Sequence, residues 1–170
     1  MSNTLTLPTT ESPASNRSRG YHSVTPYLML RQASKAIDFY KEAFGARERM
    51  RMPGPNGRIM HAELAIGDSV IMLAEEMPEM NFKGPESVGG STVALLLYAD
   101  DVDATFAQAI EAGAKQVRAV QNQFYGDRAG TLIDPFGHIW TIATHVEDVP
   151  TEELQRRMAA MGCGCGESHS

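Results

Sequence analysis

One pattern of strand, helix and three strands is written twice along this chain, and that repetition limits the possible folds more than any other feature. The first copy opens with an apolar run rich in β-formers, SVTPYLMLR (23–31). A helix follows over 33–45, ASKAIDFYKEAFG, where Ala36, Ile37, Tyr40 and Phe44 recur at helical spacing and Gly45 provides the stop. Three strands come next, ARERMRM, RIMHAELAI and SVIMLAEE, separated by turns at Pro–Gly and Gly–Asp. The order then recurs. TVALLLYA (92–99) reads as a strand, DDVDATFAQAIEAGA (100–114) as a helix capped by aspartate, and KQVRAVQNQFYG, DRAGTLID and IWTIATHV as three strands. Val102, Phe106, Ala109 and Ile110 make the stripe of the second helix. The helix exits EAFGA (42–46) and IEAGA (110–114) align with each other.

Each copy lays one helix on one face of a four-stranded sheet and leaves the other face to a neighbour or a ligand. The expected fold is therefore α+β: two tandem βαβββ modules whose curved mixed sheets form a cup, then a short C-terminal helix. The expected boundaries are a disordered tail 1–21, a first module 22–76, a linker or loop 77–91, a second module 92–148, a C-terminal helix 149–161 and a flexible tail 162–170. Thr151 is a plausible N-cap of the last helix, and Glu152 and Glu153 suit its first turn.

Composition narrows the function. The formal charge is −6 and no long basic run exists, which argues against a nucleic-acid partner. No stretch approaches the length of a membrane-spanning helix, and the N-terminus lacks the apolar segment of a signal peptide. A cytoplasmic location is expected. Cys163 and Cys165 lie too close in sequence to staple a fold. With His169 they could hold a soft metal, although a Gly-rich tail bearing two reducible thiols accounts for them more simply.

AIDFYKEAFGA, GDSVIML, YADDVDATFAQAIEAGA and DPFGHIWTI together resemble the vicinal oxygen chelate superfamily, which includes glyoxalase I, bleomycin-resistance proteins and extradiol dioxygenases. HAELAIGDSVIML, YGDR and DPFGHIWTIATHVEDV are similar to its PhnB-like branch. The resemblance covers roughly 22–150. Metal-dependent members take His or Glu ligands from the first and last strands of each module. Carried onto this chain, those positions read Thr25, Met72, Thr92 or Val93, and Thr141. None is a His or a carboxylate, and hydroxyl or thioether donors are poor substitutes, so the usual metal and any other cofactor are expected to be missing.

Polar chemistry can still sit on the strands. Alternation puts Met60, Ala62, Leu64 and Ile66 under the helix and turns Ile59, His61 and Glu63 into the cup. His61 and Glu63 could be an acid/base or hydrogen-bonding pair, or half of a non-standard divalent metal site with His145 as a distant third donor. The plainer reading is a salt-bridged sheet edge. Thr141 in the cup makes Trp140 core, and His145 then pairs with Glu147 or Asp148 at the surface. Asp134 and His138 belong first to a turn. Tyr27, Met29, Met72 and Leu95 are cup candidates by parity. Phe124 and Tyr125 could stack on a planar ligand, and Asp127 and Arg128 could pair with each other or fix its polar groups.

Three functions fit. The first is a metal-free binding protein of bleomycin-resistance type, holding a small, partly aromatic molecule. The second is a metal-dependent glyoxalase-like lyase or isomerase, or a dioxygenase, built around His61 and Glu63. The third is a non-catalytic dimer that binds a metabolite. A homodimer is expected in each case.

Overall fold

The structure is a computed structural model and describes residues 20–162. The reading of Cys163, Cys165 and His169 lies outside them. Two four-stranded mixed sheets are present, in the orders β1-β4-β3-β2 and β5-β8-β7-β6. The first contains β1 (Tyr27–Leu30), β2 (Arg47–Pro53), β3 (Ile59–Ile66) and β4 (Ser69–Glu75), with helix α1 (Ala33–Phe44) between β1 and β2. A short helix α2 (Pro85–Val88) lies in the segment between modules. The second sheet contains β5 (Ala94–Tyr98), β6 (Lys115–Asn122), β7 (Asp127–Ile133) and β8 (Ile139–His145), with α3 (Val102–Glu111) after β5. Helix α4 (Thr151–Gly162) follows. In each sheet the first and last strands of the module run parallel and the other neighbours antiparallel. None of the described helices is long and apolar enough to cross a membrane.

The repeat extends to irregularities that spacing cannot show. The ladder between β2 and β3 skips Arg49, and the ladder between β6 and β7 skips Val117, at corresponding places. Each extra residue is a bulge that bends its strand.

The helices form for different reasons at their two ends. α1 buries Ala36, Ile37 and Tyr40 completely, and Gly45 closes it in the left-handed region at φ 62°. Its first turn has no side-chain cap of its own. Glu75, at the end of β4, accepts from the main-chain N–H groups of Gln32 and Ala33 at 3.2 and 2.8 Å. That carboxylate is remote in sequence, so no local capping signal announces it. α3 is capped by Asp101, which accepts from Ala104 N–H at 3.0 Å. Ile110, expected on the buried stripe of α3, is instead 37 % exposed.

The two modules share one interior. α1 packs against α3, and Tyr40 and Phe44 of α1 reach Trp140 of β8 at ring separations of 5.5 and 4.7 Å. Asp134, buried in the turn before β8, ties the modules together. Its Oδ1 accepts from the N–H groups of Phe136 and His138, both at 2.9 Å. Its Oδ2 accepts from Tyr40 Oη–H at 2.7 Å and Trp140 Nε1–H at 3.0 Å. Trp140 is core, as its parity requires.

Candidate ligand-binding site

The face of the first sheet turned away from α1 is built by register. Tyr27, Met72, Glu63 and Met50 form one row across the four strands. Met29 beside Ala74 and Met52 beside His61 continue it one row along. Tyr27, Met50 and Met52 are 47 %, 40 % and 50 % exposed, so this is a soft, adaptable apolar surface open to the outside.

A single carboxylate is set into that surface. Glu63 is buried, and each of its oxygens has a partner while keeping a further lone pair. Tyr21 Oη–H donates to its Oε2 at 2.6 Å, His61 Nε2 lies 3.3 Å from its Oε1, and Arg49 Nη1 stands 3.9 Å from Oε2. Tyr27 Oη and His61 Nδ1 are 3.0 Å apart, extending the chain of hydrogen bonds to β1. Arg49, the bulged residue of β2, also lies over the Tyr21 ring at 4.8 Å. The Tyr21 hydrogen bond, aided by His61 and Arg49, holds the Glu63 carboxyl below its ordinary range despite the opposing effect of burial. Tyr21 shifts the other way, upward, for the same hydrogen bond. The result is an ionised acid with aromatic hydroxyls on both sides of the pair it forms with His61.

His61 and Glu63 thus meet as alternation predicts, but the strand start does not follow the pattern. Ile59 is 3 % exposed and joins the core, whereas Met60 is 41 % exposed. A register shift between Met52 and Pro53 turns the strand over there, which reverses the expected faces of these two residues. Nor does His145 join this group. It sits on the second sheet, with Nδ1 2.9 Å from Asp127 Oδ1 and Nε2 3.0 Å from Asp148 Oδ1. Among the described residues no three His, Cys, Asp or Glu side chains stand together as a group able to hold a metal ion.

Other expected ligand contacts divide. Thr141 faces the uncovered side of the second sheet, 3.2 Å from Thr131 between their hydroxyl oxygens. Tyr125 and Thr141 line a small polar pocket there with Arg118, Gln121 and Gln123. Phe124 and Tyr125 meet edge to face at 5.3 Å. Arg128 is turned away from this face. Its guanidinium grips Asp103 of α3 through two bonds of 2.7 Å, because alternation along β7 puts it opposite Asp127. For that reason Asp127 and Arg128 do not pair; Asp127 accepts instead from Tyr98 Oη–H at 2.9 Å. Leu95 is likewise on the helix-covered face, paired in register with Trp140, and it is Leu96 that faces outward. Leu95 does reach a cavity, since it lines the seam where β1 and β5 approach, together with Tyr27 and Met29.

Tyr21 and Arg49 were not readable as site residues. Tyr21 stands at the end of a polar tail, and Arg49 reaches Glu63 only because of a bulge.

Comparison with known proteins agrees with this architecture. A family model described as "Glyoxalase/Bleomycin resistance protein/Dioxygenase superfamily" matches residues 21–142. An uncharacterized protein of Mycobacterium tuberculosis is 41 % identical over 145 residues, covering 84 % of this chain and 85 % of its own. The crystal structure of a gene product of Arabidopsis thaliana is similar at 27 % identity and TM-score 0.59, over 72 % of this chain and 98 % of that one. TnmS3 of a Streptomyces species, described as an antibiotic binding protein, is similar at 26 % identity and TM-score 0.53, over 73 % and 97 %. With the duplicated βαβββ topology, the two uncovered sheet faces and a family match over most of its length, the chain belongs to the glyoxalase/bleomycin resistance protein/dioxygenase superfamily.

Proposed function

We propose that this protein binds a small, partly aromatic molecule on the uncovered face of the first sheet, as a homodimer and without the superfamily's usual divalent metal. The observation that carries this reading is the methionine- and tyrosine-rich face surrounding one ionised carboxylate, Glu63. Methionines adapt to flat rings of varied outline, and tyrosines stack on them. Glu63 adds one directional contact for an amino or hydroxyl donor on the ligand. The description of TnmS3 as an antibiotic binding protein supports ligand binding as the role. The reading without metal is supported by the donor set. Thr25, Met72, Val93 and Thr141 stand where metal-dependent members place their ligands, and none is a good donor for a divalent ion. The homodimer is supported by exposed Leu96 and Tyr98 on the edge strand β5, an apolar margin that a second copy would cover.

The test pairs elemental analysis with a titration of proflavine, a planar ring system bearing amino groups, against the full chain. Metal-free protein that binds the probe, about tenfold more weakly in Glu63→Gln, is the expected result. One tightly held transition metal per chain, lost in His61→Ala, would overturn the proposal. So would probe binding that is indifferent both to Glu63→Gln and to replacement of Met50 and Met52 by Ser.

A further inference from the structure

Among the described residues one buried side-chain nitrogen lacks a hydrogen-bond partner, Nε2 of His138. Buried polar groups in native proteins are almost always satisfied, so an orphan of this kind asks for an occupant. His138 is 9 % exposed, and its position is fixed. Its main-chain N–H is held by Asp134, and Gly137 before it packs so closely on Pro85 that an added Cβ would lie 2.8 Å from the proline.

The imidazole lines a cavity of about 420 Å³ along the seam between β1 and β5. Pro26, Leu28, Pro85, Val88 and Leu95 give it apolar walls. One wall is also an open strand edge. Pro26 and Leu30 turn their carbonyls toward β4, where they accept from Met72 and Glu76. Alternation then directs the main-chain groups of Tyr27 to the other edge of β1, on the cavity side, while at Met29 that edge is covered by Gly84, on which an added Cβ would lie 2.8 Å from the Met29 carbonyl oxygen. The cavity therefore offers a flat apolar space with polar groups along one rim.

We infer that this cavity is a second small-molecule site, adjoining the open sheet face at Tyr27 and Met29, which takes a hydroxyl-bearing aromatic ring with His138 as its polar anchor. The volume holds one or two rings. Burial pushes the His138 pKa down, outweighing the opposite pull of Asp134 and the Met29 carbonyl, so the ring is neutral near pH 7. A neutral imidazole presents one donor and one acceptor nitrogen. A hydroxyl can donate or accept, so it satisfies Nε2 in either tautomer once a small turn of the ring brings that nitrogen to the cavity. A carboxylate meets only the donor, and an ammonium only the acceptor.

The probes are p-cresol and toluene, which share a shape and differ in the hydroxyl, titrated against the full chain. In the wild type p-cresol binds at least about fivefold more tightly than toluene, as one neutral hydrogen bond implies. In His138→Phe the two bind equally. The imidazole ¹⁵N resonances of His138 move with p-cresol and stay with toluene, a readout that stands even if the variant does not fold. Equal affinities in the wild type, a hydroxyl preference that survives His138→Phe, or shifts at His61 in place of His138 would overturn the inference. Failure of both probes to bind folded wild type overturns it too, since the cavity then holds only water. The outcome at Glu63 is independent of all of these.

Discussion

Replacing Asp134 should cost more stability than replacing any residue of the open sheet face, and the identity of the replacement should set how much. The carboxylate accepts four hydrogen bonds, two on each oxygen, from donors that are themselves buried. Asp134→Ala strands all four. A buried donor left without a partner costs about 1–3 kcal/mol. Some donors will recover water, so the expected loss is about 4–6 kcal/mol, a large part of the total stability of an ordinary domain. Asp134→Asn is milder for a specific reason. The two main-chain N–H groups need the carbonyl oxygen, which fixes the amide nitrogen opposite Tyr40 and Trp140. Tyr40 can turn its hydroxyl to accept from that nitrogen, whereas the indole N–H of Trp140 can only donate. One clash remains, at about 2 kcal/mol. Tyr40→Phe, which removes a single donor and strands nothing, should cost about 1 kcal/mol. Urea denaturation followed by Trp140 fluorescence measures the series. A loss below about 2 kcal/mol for Asp134→Ala, or equal losses for Ala and Asn, would refute the assignment of the carboxylate as the joint of the two modules.

Three further outcomes are expected. Glu76 is buried and held down to a pKa of about 2, first by Ser87 and Arg31 and then by the Gly84 N–H. A depressed carboxylate stabilises the fold above its unfolded value and ceases to do so as pH falls. Stability should therefore drop as pH falls from about 4.5 toward about 2, and Glu76→Gln, measured by urea midpoints across that window, should flatten the drop. His145 shifts in the opposite sense, its pKa raised by Asp127 and then Asp148. Its contribution is complete below the unfolded histidine value and is lost as pH rises through the folded one. An NMR titration should place its midpoint above the ordinary value of 6.5, and Asp148→Asn should bring it down. Gly126→Ala should lose about 3 kcal/mol in the same urea assay, because φ is 102° and the new methyl would collide with the carbonyl oxygen of Glu147.

Much of the architecture was legible because it rests on local periodicity. The stripes of α1 and α3 and the alternation through Ala62, Leu64, Trp140 and Ile142 each depend on a few neighbouring residues. What escaped depends on contacts remote in sequence or on single-residue slips. The N-terminus of α1 is capped by Glu75, over forty positions away. Arg49 reaches Glu63 only through a bulge, and the slip at Pro53 exchanges Ile59 and Met60. Arg128 turns to α3 because its neighbour Asp127 faces the other way along β7. Leu95 lies on the helix side for a related reason, since the parity of β5 is fixed only by its pairing with β8. The buried nitrogen of His138 is a property of packing from three segments, and no pattern around DPFGH reports it.

The packing of Tyr40, Phe44 and Trp140 across the two halves has a bearing on how the chain would respond to being cut. A protease nick between Gly89 and Gly90, where two consecutive glycines have positive φ, severs the covalent link and leaves the interior untouched. Neither fragment could bury its aromatic surface alone, so the pair should stay associated through purification and melt as one unit. Expressed separately, the halves should be insoluble until mixed. What began as a repeated unit has become a single cooperative body, and its two copies are no longer free to part.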